Sequence, residues 1–114
     1  MPTSNLQIIK ADTYNRAIKK LKKRFAHIEV DVDLFFEKIS TLDELGVHLG
    51  NNVFKARIAN SDKKSGKSSG YRLISYLKLI DNELYLLFIY DKSDFENISE
   101  SEIDSLILSS ALFS

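Results

Sequence analysis

Four cations in the second half of the chain have the types and spacing that phosphodiester chemistry needs: Lys55, Arg57, Arg72 and Lys92. In "FKARI" (Phe54–Ile58) apolar and basic residues alternate, the pattern of a half-buried strand. Lys55 and Arg57 then share one face, about 7 Å apart at the usual strand rise. "GYRLISYLKLI" alternates as well, with Arg72, Ile74, Tyr76 and Lys78 on one side and Leu73, Ser75, Leu77 and Leu79 on the other. If Arg72 points the way of Lys55 and Arg57, three cations converge, and Lys92, just past a further strand, closes the group.

Such a cluster answers a phosphodiester. Cleaving RNA by its own 2′-hydroxyl takes a base for that hydroxyl, stabilisation of charge on the phosphoryl oxygens, and a proton for the leaving 5′-oxygen. Arginine suits the oxygens because its planar fork pairs with phosphate and stays charged. A lysine can be the base only if neighbouring cations lower its pKa, which clustering favours. The competing reading is that these cations fill the wet face of a half-exposed sheet, and spacing alone leaves both open.

The formal net charge is zero, but charge is segregated. Lys10 to Arg24 holds seven cations and one acid, and Asp81 to Asp104 holds eight acids and one cation. A neutral chain can thereby carry one basic face suited to a phosphate backbone. Lys63, Lys64 and Lys67 sit in "SDKKSGKSSG", which reads as a flexible hairpin loop, and Lys19, Lys20 and Lys23 lie on the polar side of a helix. Both groups are candidates for sequence-independent contacts to RNA. Simple solvation accounts for them equally well.

Other chemistries find little support. The chain has no cysteine, so disulfides and thiolate metal sites are excluded. His27 and His48 lack a partner motif and read as structural. Asp91, Asp94 and Glu96 have no ligand spacing, so no metal or other cofactor is expected. Ser61, Ser65 and Ser68 have no paired base. With 114 residues, 44% hydrophobic and 28% charged, the chain is expected to be one domain, residues 1–114, with an ordinary core. No run approaches the ~20 apolar residues of a membrane span, and the opening residues do not read as a signal peptide. A cytoplasmic protein with no membrane partner is expected.

The elements that must position the cations follow from periodicity. "LQIIK" (Leu6–Lys10) reads as a strand. Tyr14, Ala17, Ile18, Leu21 and Phe25 have helical spacing, with Asp12 or Thr13 as N-cap. "DVDLFFEKISTLDELG" is a second helix, capped by Asp31 or Asp33 and stopped by Gly46, after which "GVHLGNN" turns the chain. Two alternating strands follow, then a turn at Asp81-Asn82 and "ELYLLFIYD", apolar on both faces and therefore central. Ser99 and Glu102 form a capping box for a last helix, with Ile98 and Ile103 as its staple. The expected fold is α+β, a small antiparallel sheet with helices packed on it, in the order β-α-α-β-β-β-α.

Three stretches carry a family resemblance: "FKARI", "GYRLI" and "LLFIYDKSDFENIS" leading into the final helix. In their order and spacing the chain resembles the RelE/ParE superfamily of toxins from bacterial toxin–antitoxin systems, in the HigB-like branch, over nearly its whole length. The resemblance implies a metal-independent endonuclease that cleaves mRNA in the ribosomal A site, with ribosome, mRNA and a cognate antitoxin as partners. It matches catalytic cations to Lys55, Arg57 and Arg72, and a later basic residue to Lys92. ParE relatives instead inhibit DNA gyrase by binding, which is the alternative. RelE-type toxins place a tyrosine near the C-terminal helix, where this chain has Ile98 and Ser99; Tyr90 would be the substitute, though an aromatic on such a strand is more often core.

Overall fold

The computed structural model describes residues 6–63, 70–95 and 97–113, with side chains up to residue 109. Among the described residues the order is β1 (Gln7–Lys10), α1 (Asp12–Lys22), α2 (Ile28–Lys38), β2 (Val47–Gly50), β3 (Val53–Ile58), β4 (Tyr71–Lys78), β5 (Glu83–Asp91) and α3 (Glu100–Phe113). The strands form one sheet in the order β1-β5-β4-β3-β2. The fold is α+β, as the sequence predicts. No helix among the described residues is long and apolar enough to cross a membrane.

The sheet differs from expectation in two ways. It is mixed, because β1 runs parallel to β5, from Gln7 opposite Glu83 to Lys10 opposite Leu86. It also gains β2, which pairs antiparallel with β3 through a tight hairpin. Asn51 and Asn52 form that turn, with φ of 52° and 61°. Asparagine tolerates the left-handed region, and two such residues in succession give the turn whose twist matches a hairpin. The expected turn is therefore there, with a strand in front of it.

Helices cover both faces. On one face Tyr14, Ala17, Ile18 and Leu21 of α1 and Ile28 and Val32 of α2 are buried with Ala56, Ile58, Tyr71, Leu73, Leu77, Leu84, Leu86 and Ile89 of the sheet. This is the apolar stripe read from the sequence, and the α1 cations face outward. On the other face Ile103 of α3 packs with Val53, Ile74 and Tyr90. The strand alternation thus sends Lys55 and Arg72 toward α3.

Helix α2 starts at Ile28, three residues before the expected cap. Its first turn is tied to another segment: the His27 backbone N–H donates to Asp62 at 3.1 Å, and the His27 ring meets the same carboxylate at 2.7 Å. Asp31 lies inside the helix, buried, and accepts from the Ser61 backbone and hydroxyl at 3.0 and 3.1 Å. Helix α3 begins as predicted, with the Ser99 hydroxyl accepting from the Glu102 N–H at 3.3 Å.

Two local devices set the central strands. Leu86 and Phe88 of β5 pair with consecutive residues of β4, Ser75 and Ile74, leaving Leu87 as a bulge. The Leu87 carbonyl is taken up by the Thr13 hydroxyl at the start of α1. Gly46 leads into β2 with φ of 111°, and a Cβ there would lie 2.1 Å from the Lys55 carbonyl oxygen. Only glycine lets the chain cross so close over β3 at this backbone angle.

Candidate functional site

In the sheet register Arg57 stands opposite Arg72, and Arg72 stands opposite Tyr90. Directly opposed residues point to the same face. The expected convergence of Arg72 with the β3 cations is therefore present in the fold. Like charges placed opposite each other are unfavourable, so the face needs anions.

Helix α3 supplies them. Glu100 Oε2 accepts from Lys55 Nζ at 2.9 Å, and both Asp104 oxygens lie 3.0 Å from the same ammonium. The other Glu100 oxygen faces Arg72 Nη2 at 3.6 Å and Lys92 Nζ at 3.8 Å. Three of the four expected cations, Lys55, Arg72 and Lys92, thus surround one carboxylate. The hydrogen bond from Lys55, reinforced by the charges of Lys55, Arg72 and Lys92, holds the Glu100 pKa below its usual value against the opposing effect of burial. Glu100 is ionised at neutral pH.

The expectation of a wet sheet face fails at Lys55 and Arg72. Arg72 is fully buried and the Lys55 side chain is 8% exposed. The reason is α3, which lies over this face. Arg72 Nη1 also donates to the Tyr71 carbonyl at 3.2 Å. The Lys55 ammonium is taken up by two carboxylates, Glu100 and Asp104. What solvent reaches is Lys92, Arg57 and the Glu100 carboxylate, whose side chains at 92 and 100 are 47% and 35% exposed.

Tyr90 is core, packed with Val53, Ile74 and Ile103. Burial, with Asp104 and Glu100 nearby, pushes its phenol up to about 12, so it stays neutral at pH 7.

The other candidates are scattered. Lys63 is held at the root of its loop by the buried Asp91, at 2.7 Å, with Ser93 on the same carboxylate. Lys64 and Lys67 lie outside the described residues. Lys19, Lys20 and Lys23 are exposed on or just after α1. Lys20, with Arg16 and Arg24, lines a groove of about 420 Å³ floored by Phe88, Tyr90 and Phe95. Arg57 and Lys55 border a second groove, of about 550 Å³, beside Val47 and Lys38.

Glu100 and Asp104 are the site residues that the sequence reading missed. Their signal was present: two acids four apart share one helix face, facing strands whose cations alternate inward. It was hidden because acids at a helix start already have an explanation in the helix dipole.

A family model described as the RelE toxin of the RelE/RelB toxin–antitoxin system matches residues 7–113. The chain belongs to this toxin family, and an antitoxin is the partner that such membership implies. A search of curated proteins gave no match.

Proposed function

We propose that this toxin is a ribosome-dependent mRNA endonuclease that stops translation in the cytoplasm, cutting RNA by attack of its own 2′-hydroxyl without a metal. The observation that carries the reading is the grouping of Lys55, Arg72 and Lys92 on one carboxylate, on a face that also presents Arg57. Lys92 and Arg57 are exposed and contact the phosphate. Lys55 and Arg72 lie beneath Glu100 and act through it, fixing where its charge sits. Lys19, Lys20, Lys23, Lys63, Lys64 and Lys67 add sequence-independent attraction to RNA. Silencing falls to the cognate antitoxin.

The test is translation in vitro with purified ribosomes, followed by mapping of mRNA ends. New ends inside codons, appearing only when ribosomes are present, are expected. Intact mRNA together with inhibited supercoiling by DNA gyrase would replace this reading with the ParE-like one.

A further inference from the structure

Cleavage by a 2′-hydroxyl requires a group that takes its proton, and it must stand beside the cations that hold the phosphate. Tyr90 is neutral and buried. His27 stands at the start of α2, which packs on the sheet face opposite α3, and the His48 ring lies against Phe54 and receives the Asn52 N–H at 3.3 Å. Lys55 donates to three carboxylate oxygens. The carboxylates that meet the cation cluster are Glu100 and Asp104. Asp104 meets Lys55 through both oxygens and is 24% exposed, whereas Glu100 is 35% exposed and turns one oxygen toward Lys92.

We propose that Glu100 is the proton acceptor of the RNA-cleaving site; the inference rests on the ribonuclease reading above. The 2′-O–H bond breaks and its proton passes to Glu100 Oε1. The 2′-oxygen bonds to phosphorus, and the bond from phosphorus to the 5′-oxygen breaks. The leaving 5′-oxygen takes a proton from the Lys92 ammonium. The products are a 2′,3′-cyclic phosphate and a 5′-hydroxyl. Lys92 and Glu100, 3.8 Å apart, then exchange the proton through one water, which resets both groups. Lys55 and Arg72 are positioning residues that hold the carboxylate ionised beside the phosphate.

The groups facing Glu100 are Lys55 on β3, Arg72 on β4, Tyr90 on β5, Lys92 beyond β5 and Asp104 on its own helix. A base already ionised below the usual carboxylate range gives a rate that is flat between about pH 5 and pH 7.5, where a lysine or histidine base would give a rising one.

The experiment is single-turnover cleavage of mRNA on programmed ribosomes, with ribosome binding measured in parallel. Glu100→Gln is expected to lower the rate by about 10²–10³ with binding kept or strengthened. Glu102→Gln, which changes an exposed acid on the same helix, is expected to stay within about tenfold of wild type. If Glu100→Gln does not fold, Glu100→Asp decides, with a drop of tenfold or more expected because its carboxylate is withdrawn by one methylene. A Glu100→Gln variant as fast as wild type or faster would overturn the inference, as would an equal loss in Glu102→Gln or a rate rising across the neutral range. Failure of the wild-type protein to cleave would remove the ribonuclease reading and this inference with it.

Discussion

Arg72, fully buried in β4, faces Glu100 at the start of α3 at 3.6 Å, so the cation most central to the sheet meets solvent only across a carboxylate. This changes what its removal should do. A cation on an open face would be dispensable for folding. A buried guanidinium fills volume and balances a partner, and breaking such a pair from one side typically costs about 3 kcal/mol. Arg72→Ala should therefore lower unfolding free energy by about that amount in urea titration. Arg72→Met, which keeps the volume, should lose less. An unchanged midpoint for the alanine variant would show that the side chain is not packed as described.

Gly46 links the fold to the site. Its φ of 111° and the 2.1 Å approach of a virtual Cβ to the Lys55 carbonyl leave no room for a side chain. Gly46→Ala should destabilise by about 1–3 kcal/mol through the backbone angle alone, and more from the clash. Because the clash falls on Lys55 itself, cleavage should suffer beyond the stability loss. Thermal melts read the first effect, and rates measured well below the melting temperature read the second. A variant melting like wild type would refute the close crossing.

The basic loop divides into unlike parts. Lys63 contacts Asp91, which is fully buried, so Lys63→Ala leaves an acid uncompensated and should destabilise by about 3 kcal/mol. Lys64→Ala with Lys67→Ala should, on the reading above, flatten the salt dependence of ribosome binding by about two units of slope. Binding titrations at several salt concentrations, beside melts, separate the two. A double variant that binds with undiminished slope would take Lys64 and Lys67 out of RNA contact.

How much of this was legible follows from the range of the forces involved. The α1 stripe, the alternation of β3 and β4, the Asp81-Asn82 turn and the Ser99 cap are all set within a few residues, and each reads directly. Strand β2 escaped because four residues containing one histidine and one glycine carry no clear period, although Asn51-Asn52 marked the turn behind it. The early start of α2 escaped because its first turn is fixed by Asp62, thirty-five positions away. At the site, alternation places Lys55, Arg57 and Arg72 on one face, but nothing local says that α3 covers it. Pairing across 45 to 49 positions, as between Lys55 and its two carboxylates, is a tertiary fact.

The His27–Asp62 contact should be visible as a pH-dependent part of stability. The hydrogen bond and charge of Asp62 raise the His27 pKa, and the same contact lowers that of Asp62. A raised histidine contributes fully below its unfolded value of about 6.5 and loses its share as pH climbs through the raised folded value. A lowered aspartate contributes above its unfolded value of about 3.9 and loses its share as pH falls through the lowered one. The contact is therefore strongest between these limits. His27→Gln removes the titrating ring and keeps the backbone bond to Asp62. Its melting temperature should fall furthest below wild type near pH 5.5, and the gap should shrink by pH 9. A gap of the same size at both values would mean that the ring packs without sharing charge, and that the start of α2 is held by the backbone bond alone.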